Sequence, residues 1–184
     1  MSTGSIRGCI EFVVVISVTV LAAACGRTGG IDAQDGATIT VSSNAVTDDE
    51  DIPVEFTCDG EDVTPDVAWA DVPPDTVEIV VVVDDPDAPS GTFTHWTVWG
   101  LKPDASPLAE DLPAGAVEGS NDFGNVGYRG PCPPVGDDPH TYRFRVLALD
   151  SSLDLPEGAA PSELSAAIGD HLIGQGQLQA TYAR

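Results

Sequence analysis

Three short segments hold the residues of this sequence best suited to chemistry. Asp84-Asp85-Pro86-Asp87-Ala88-Pro89 closes a long apolar run, and His95-Trp96 lies near the start of the next. Gly127-Tyr128-Arg129-Gly130-Pro131-Cys132-Pro133-Pro134 leads toward His140-Thr141-Tyr142. A carboxylate favours the protonated form of a neighbouring imidazole, and a protonated imidazole donates to an anion. A Tyr hydroxyl and the N–H groups of a Gly/Pro loop add donors, and the prolines stiffen that loop. Such a set suits a small anion, one phosphate or carboxylate, with no lysine and no cofactor. Two other chemistries use the same residues. His95, His140 and Asp85 form a two-His, one-carboxylate metal set. A hydrolase could use His and Asp as acid and base, but no G-x-S-x-G elbow occurs and no serine lies inside the three segments.

Strands must position these groups. Val77 to Asp84 is β-branched and almost wholly apolar, which predicts a central strand buried on both faces. Phe93 to Trp99 predicts its neighbour, so a hairpin brings Asp85 and His95 to one end of the sheet, with Pro86, Pro89 and Gly91 turning the chain. Thr141 to Leu149 predicts a third long strand. Its even positions, Tyr142, Phe144, Val146 and Ala148, share a core face, which puts His140 and Tyr142 at the core's rim. Thr141, Arg143 and Arg145 point the other way, toward solvent, and Leu147 and Leu149 on that second face require cover.

Thr38–Ser42, Pro53–Cys58, Val67–Ala70 and Leu178–Ala183 read as further strands, and 101–125 as irregular. Pro161 to Ile173 has helical spacing in Leu164, Ala167, Ile168 and Leu172, with Ser162 as N-cap. Trp69, Trp96 and Trp99 read as packing residues and His171 as structural. Asp87 suits a turn cap or a pocket role, and Arg129 an acid partner or the anion site. The fold class is mainly β, a β-sandwich-like domain with one or two peripheral helices.

The chain has 30 acidic and 7 basic residues among 184, a formal charge of -23. That balance repels nucleic acid and anionic surfaces, so any anion must be bound by local groups. At the N-terminus, Arg7 precedes the apolar run Ile10–Ala24, and Ala22-Ala23-Ala24 leads into Cys25. This is the order of a secretory signal, and the cysteine's place resembles a bacterial lipobox. The expected organisation is a lipoprotein signal over 1–24, acylation of Cys25, a Gly-rich tether over 25–37 and one domain over 38–184, held at a membrane's extracytoplasmic face through the lipid. A retained anchor and a soluble exported form are the alternatives. Cys58 and Cys132 then remain, and an oxidising compartment suggests a disulfide between them. Free thiols or metal ligands are the other uses.

The segments DPDAP, HW and GYRGPCPP with H-x-Y resemble the signatures of the phosphatidylethanolamine-binding protein family, in its bacterial Raf kinase inhibitor-like branch. Phe56–Gly60, Gly119–Gly124 and the tail Thr181–Arg184 fit that branch too, so the resemblance runs from about Ser42 to Arg184. It implies a β-sandwich-like fold and a pocket for phosphate, phosphoryl headgroups such as phosphoethanolamine, or carboxylates. It further implies a binding or modulator protein, with a protein partner to inhibit. The family's pocket positions fall on Asp85, His95, Pro134, His140 and Tyr142, and Pro134 is assigned by resemblance alone. Thr141 stands where the family usually has Arg.

Overall fold

The computed structural model describes residue 1 and residues 36–184. The expected signal over 1–24 (apart from residue 1), the expected acylation site Cys25 and the expected tether as far as residue 35 lie outside the described residues. The strands are β1 (Ala37–Thr38), β2 (Thr40–Ser42), β3 (Ala68–Ala70), β4 (Glu78–Asp85), β5 (Phe93–Leu101), β6 (Val117–Glu118), β7 (His140–Leu149) and β8 (Leu172–Tyr182). The helix α1 (Pro161–Ile168) precedes β8. Six strands form one sheet in the order β1-β8-β7-β4-β5-β6, antiparallel except for the β1–β8 pair, and β2 and β3 form a second antiparallel pair.

All of β4 is buried because both sheet faces are covered. Ile79, Val81 and Val83 pack with Trp96, Val98, Phe144 and Val146 beneath Ile39, Val67 and Trp69 of the covering layer. Val80 and Val82 pack on the opposite face with Trp99, Leu147 and Leu149, beneath Leu164 and Ile168 of α1. The expected mainly β, sandwich-like architecture is therefore present. The cover that Leu147 and Leu149 required is α1.

Several elements depart from expectation. Residues 53–58 form a 3-10 turn at Val54–Phe56, not a strand. Pro53 and Val54 carbonyls accept the N–H groups of Phe56 and Thr57 at 3.0 Å, so local bonds outcompete a ladder. The helix ends at Ile168, where Gly169 begins a 3-10 turn, and its N-cap is Ala160. Pro161 suits the first helical position, and the Ala160 N–H donates to Glu163 Oε2 at 2.8 Å. Residues 38–42 break at Ile39 into two pieces with different partners. The last strand starts at Leu172, before the expected Leu178. Its Gly176 weakens the strand signal, but a Cβ there would strike the Ile39 carbonyl oxygen. Arg143 and Arg145 turn to Asp84 instead of solvent, and Arg145 is buried.

Cys58 and Cys132 form a disulfide, with Cα atoms 5.4 Å apart and a sequence separation of 74. It fastens the 3-10 segment to the Gly/Pro loop, beside the Cys58 N–H bond to the Pro131 carbonyl at 3.1 Å. Closing so long a loop removes entropy from the unfolded chain, worth on the order of 4 kcal/mol. The double variant Cys58→Ala/Cys132→Ala should lose about that much in guanidinium unfolding. A loss below about 1 kcal/mol would show that the other ties hold the loop alone.

Candidate functional site

The β4–β5 hairpin is irregular where it matters. Val83 pairs with Trp96, but the next residue, Asp84, pairs with Thr94. His95 is the extra residue of a β-bulge, a device that re-aims a side chain. Regular alternation would send His95 and Trp96 to opposite faces. Instead Trp96 packs in the core with Val83, and the His95 ring meets Phe93 and Tyr142 at 5.3 Å, on that same side of the sheet.

A cavity of about 260 Å³ opens there, and Asp85, His95, Pro134, His140 and Tyr142 all line it. His140 Nδ1 donates to Asp85 Oδ2 at 2.8 Å, with both side chains buried. Asp85 Oδ1 accepts the Asp87 N–H at 2.8 Å, and Asp87 Oδ2 accepts the Thr141 N–H at 2.8 Å. Asp87 is thus a clamp between the DPDAP turn and the start of β7. Tyr142 is fully buried, yet its hydroxyl has no hydrogen-bond partner in the protein. Burial, then the charge of Asp85, push its ionisation well above the ordinary tyrosine range, so it remains a donor.

His95 Nδ1 donates to the Arg129 carbonyl at 2.7 Å, leaving Nε2 for a cavity ligand. Burial pulls its pKa down and outweighs the opposing pull of that carbonyl and of Asp85. The ring is therefore neutral near pH 7, and Nε2 is an acceptor.

The lining also includes residues that the sequence does not place in the pocket. Phe93 and Phe123 meet edge to face at 4.8 Å, and both line the cavity, as does Ser90. Asn121 shapes the Phe123 loop by donating to the Gly127 carbonyl and accepting from the N–H groups of Phe123 and Asn125. Arg129 pairs with Asp62 at 3.1 Å and lies 5.6 Å from the Phe123 ring centre, outside the cavity lining. The Gly/Pro loop is seated closely. Gly130 donates to Asp62 Oδ1 at 2.7 Å, and a Cβ there would meet the Phe56 carbonyl oxygen. The tail closes the same side, where Tyr182 and Arg184 both bond Asp59. His171 pairs with Asp150 at the surface. Among the described residues, no group of three His, Cys, Asp or Glu side chains converges as metal ligands.

The profile described as Phosphatidylethanolamine-binding protein matches residues 42–183. The chain belongs to this family. Among its relatives is the UPF0098 protein of Aquifex aeolicus, 43% identical over 155 residues, covering 81% of this chain and 91% of the relative. The Mycobacterium tuberculosis relative LppC, whose name describes a lipoprotein, is 39% identical over 145 residues, 78% of this chain and 72% of its own. Escherichia coli YbcL, described as a member of the mammalian PEBP family, superposes with a TM-score of 0.76 at 30% identity. That superposition covers 79% of this chain and 98% of YbcL. The family fold accounts for the mixed sheet and its single α-helix among the described residues.

The lowered pKa of His95 makes stability depend on pH. The unfolded chain takes the proton more readily than the folded one, starting from the ordinary value of 6.5. Stability is therefore complete above that value and lost as pH falls below it. The melting temperature should drop between about pH 7 and pH 5, and His95→Asn, which keeps a donor for the Arg129 carbonyl, should flatten the drop. An unchanged slope in the variant would assign the effect to other groups.

Proposed function

We propose that this family member is an exported binding protein whose Asp85/His95/Pro134/His140/Tyr142 cavity takes one small anionic group. That group is a phosphate, a phosphoryl headgroup or a carboxylate. The observation that carries the reading is the Tyr142 hydroxyl, a buried donor without a protein partner, beside the Asp85–His140 pair. An orphan hydroxyl costs about 1–3 kcal/mol in the free protein, a cost that a ligand oxygen would recover. His140, held through Nδ1 by Asp85, lines the cavity beside that hydroxyl. Neutral His95 offers an acceptor, so the best-matched ligand carries a proton, as hydrogen phosphate or a phosphomonoester monoanion does. The cavity volume of about 260 Å³ suits a headgroup.

The same proposal holds the protein at the outer face of a membrane. The signal pattern over 1–24, Cys25 after three alanines and a tether over 25–37 support it, and so does the name of LppC. In this scheme residues 38–184 form the binding domain, and modulation of a partner enzyme is its use.

Calorimetric titration with inorganic phosphate and with phosphoethanolamine should give saturable binding that His140→Ala abolishes. Tyr142→Phe should weaken binding about tenfold while leaving the free protein as stable or more so, because it deletes an unpaired buried group. No saturable heat with either ligand would sink the proposal. Steady hydrolysis of phosphoethanolamine, lost in His95→Ala, would replace it with an enzyme.

A further inference from the structure

The large sheet has two unlike ends. Asp85 ends β4, Phe93 opens β5, His140 opens β7 and Tyr182 ends β8, so the cavity lies at one end. Glu78, Leu101, Leu149 and Leu172 mark the other, where Leu149 pairs with both Glu78 and Leu172. The first strand, β1, joins at this second end. Ala37 pairs with Gly174 and Thr38 with Gln175. Gly36 lies against Ile173, whose carbonyl oxygen is 3.1 Å from the place a Cβ would take. The pairing is parallel, so β1 and β8 both run toward the cavity. The chain before Gly36 therefore meets the domain at the end away from the cavity.

Distances make that polarity matter. From Gly174 to Tyr182 the last strand rises about 26 Å, at about 3.3 Å per residue. A Gly-rich tether of the length from Cys25 to Gly36 has a root-mean-square span of about 18 Å and a fully extended limit below about 40 Å. Upright on such a tether, the domain holds the cavity on its far side from the membrane. Bringing the mouth to that membrane requires the domain to invert and the tether to run back along it, well past its ordinary span.

Chemistry separates the same two sources of ligand. Neutral His95 presents Nε2 as an acceptor, which suits a phosphate that keeps a proton. A phosphomonoester holds one until its second ionisation, at a pKa of about 6. The diester phosphate of a common phospholipid headgroup has none to give.

We propose that the cavity takes a water-soluble phosphomonoester with a short carbon substituent, drawn from solution and not from the membrane that holds the protein. The phosphate meets Tyr142 and His140, and the substituent lies along Ala88, Pro89 and Phe123 of the wall. This rests on the anion-site and membrane-anchor readings given above.

Amide NMR of the full-length protein held in lipid nanodiscs, titrated with glycerol 3-phosphate, tests it. Shifts around His95 and His140 should saturate with the same affinity, within about twofold, in discs of phosphatidylcholine and in discs that include phosphatidic acid, a lipid with the same monoester group. Glycerophosphoethanolamine, a soluble diester, should bind about tenfold more weakly. A gadolinium-chelating lipid should broaden the amides of Ile173, Gly174 and Gln175 and spare those of Thr141 and Thr181. Cavity shifts in phosphatidic acid discs before any soluble ligand is added, equal affinity for the diester, or broadening strongest at Thr181 would overturn the proposal. Silence toward glycerol 3-phosphate in both discs would overturn it through the anion site, and no gadolinium broadening anywhere would overturn it through the anchor, so each underlying reading fails visibly by itself.

Discussion

A buried carboxylate must be answered by donors, and Asp85 is the carboxylate around which this molecule is arranged. Its two oxygens take the His140 imidazole and the Asp87 N–H, both at 2.8 Å. The first ties the end of β4 to the start of β7, adjacent strands whose ladder stops at Asp84 and Arg143, and the second closes the DPDAP turn. Asp87 then reaches on to the Thr141 N–H. The DPDAP turn is therefore fixed at both ends. Removing either partner would leave a buried charge or a buried ring nitrogen unpaired, which costs more than the bond itself contributes.

The other walls follow from the same requirement to keep a polar site dry and open. The bulge turns His95 toward Tyr142 without withdrawing Trp96 from the core. The Gly/Pro loop cannot be held by strand pairing, since its prolines lack donors. The disulfide, the Tyr128 hydroxyl on the Phe56 carbonyl and the Asp62 contact to Gly130 hold it instead. Phe93 and Phe123 pack their rings against His95, at 5.3 and 5.5 Å, and burial is the largest influence on that imidazole.

Much of this was readable from residue types. The β-branched run before Asp84 marked a strand buried on both faces, and the even positions after His140 marked a core face. Both rest on periodicity, which survives in long strands. The 3-10 turn at Val54–Phe56 was hidden because alternating Val and Phe look strand-like until Pro53 takes the first local bond. The early start of β8 was hidden by Gly174 and Gly176, whose missing side chains admit the covering layer. The bulge leaves no mark in Phe93–Trp99, and Phe123 belongs to a loop organised by hydrogen bonds of Asn121 and Asp122, which follow no periodicity. Pro134 came from family resemblance, because no periodicity runs through the loop that carries it. The cluster of Asp84 with Arg143 and Arg145 defied the reading of those positions as solvated. A full second face needs α1 above it, and no local pattern shows where a distant helix will lie.

The central claim is that the Tyr142 hydroxyl and the Asp85–His140 pair together form an anion site. A high-resolution crystal structure of protein purified without phosphate, then soaked in it, tests this most directly. The account predicts a phosphate in the cavity, with one oxygen within hydrogen-bond distance of Tyr142 Oη, another near His140 Nε2, and the His140–Asp85 bond intact. An unoccupied cavity at saturating phosphate, or a Tyr142 hydroxyl already satisfied by an ordered water that phosphate does not displace, would contradict it.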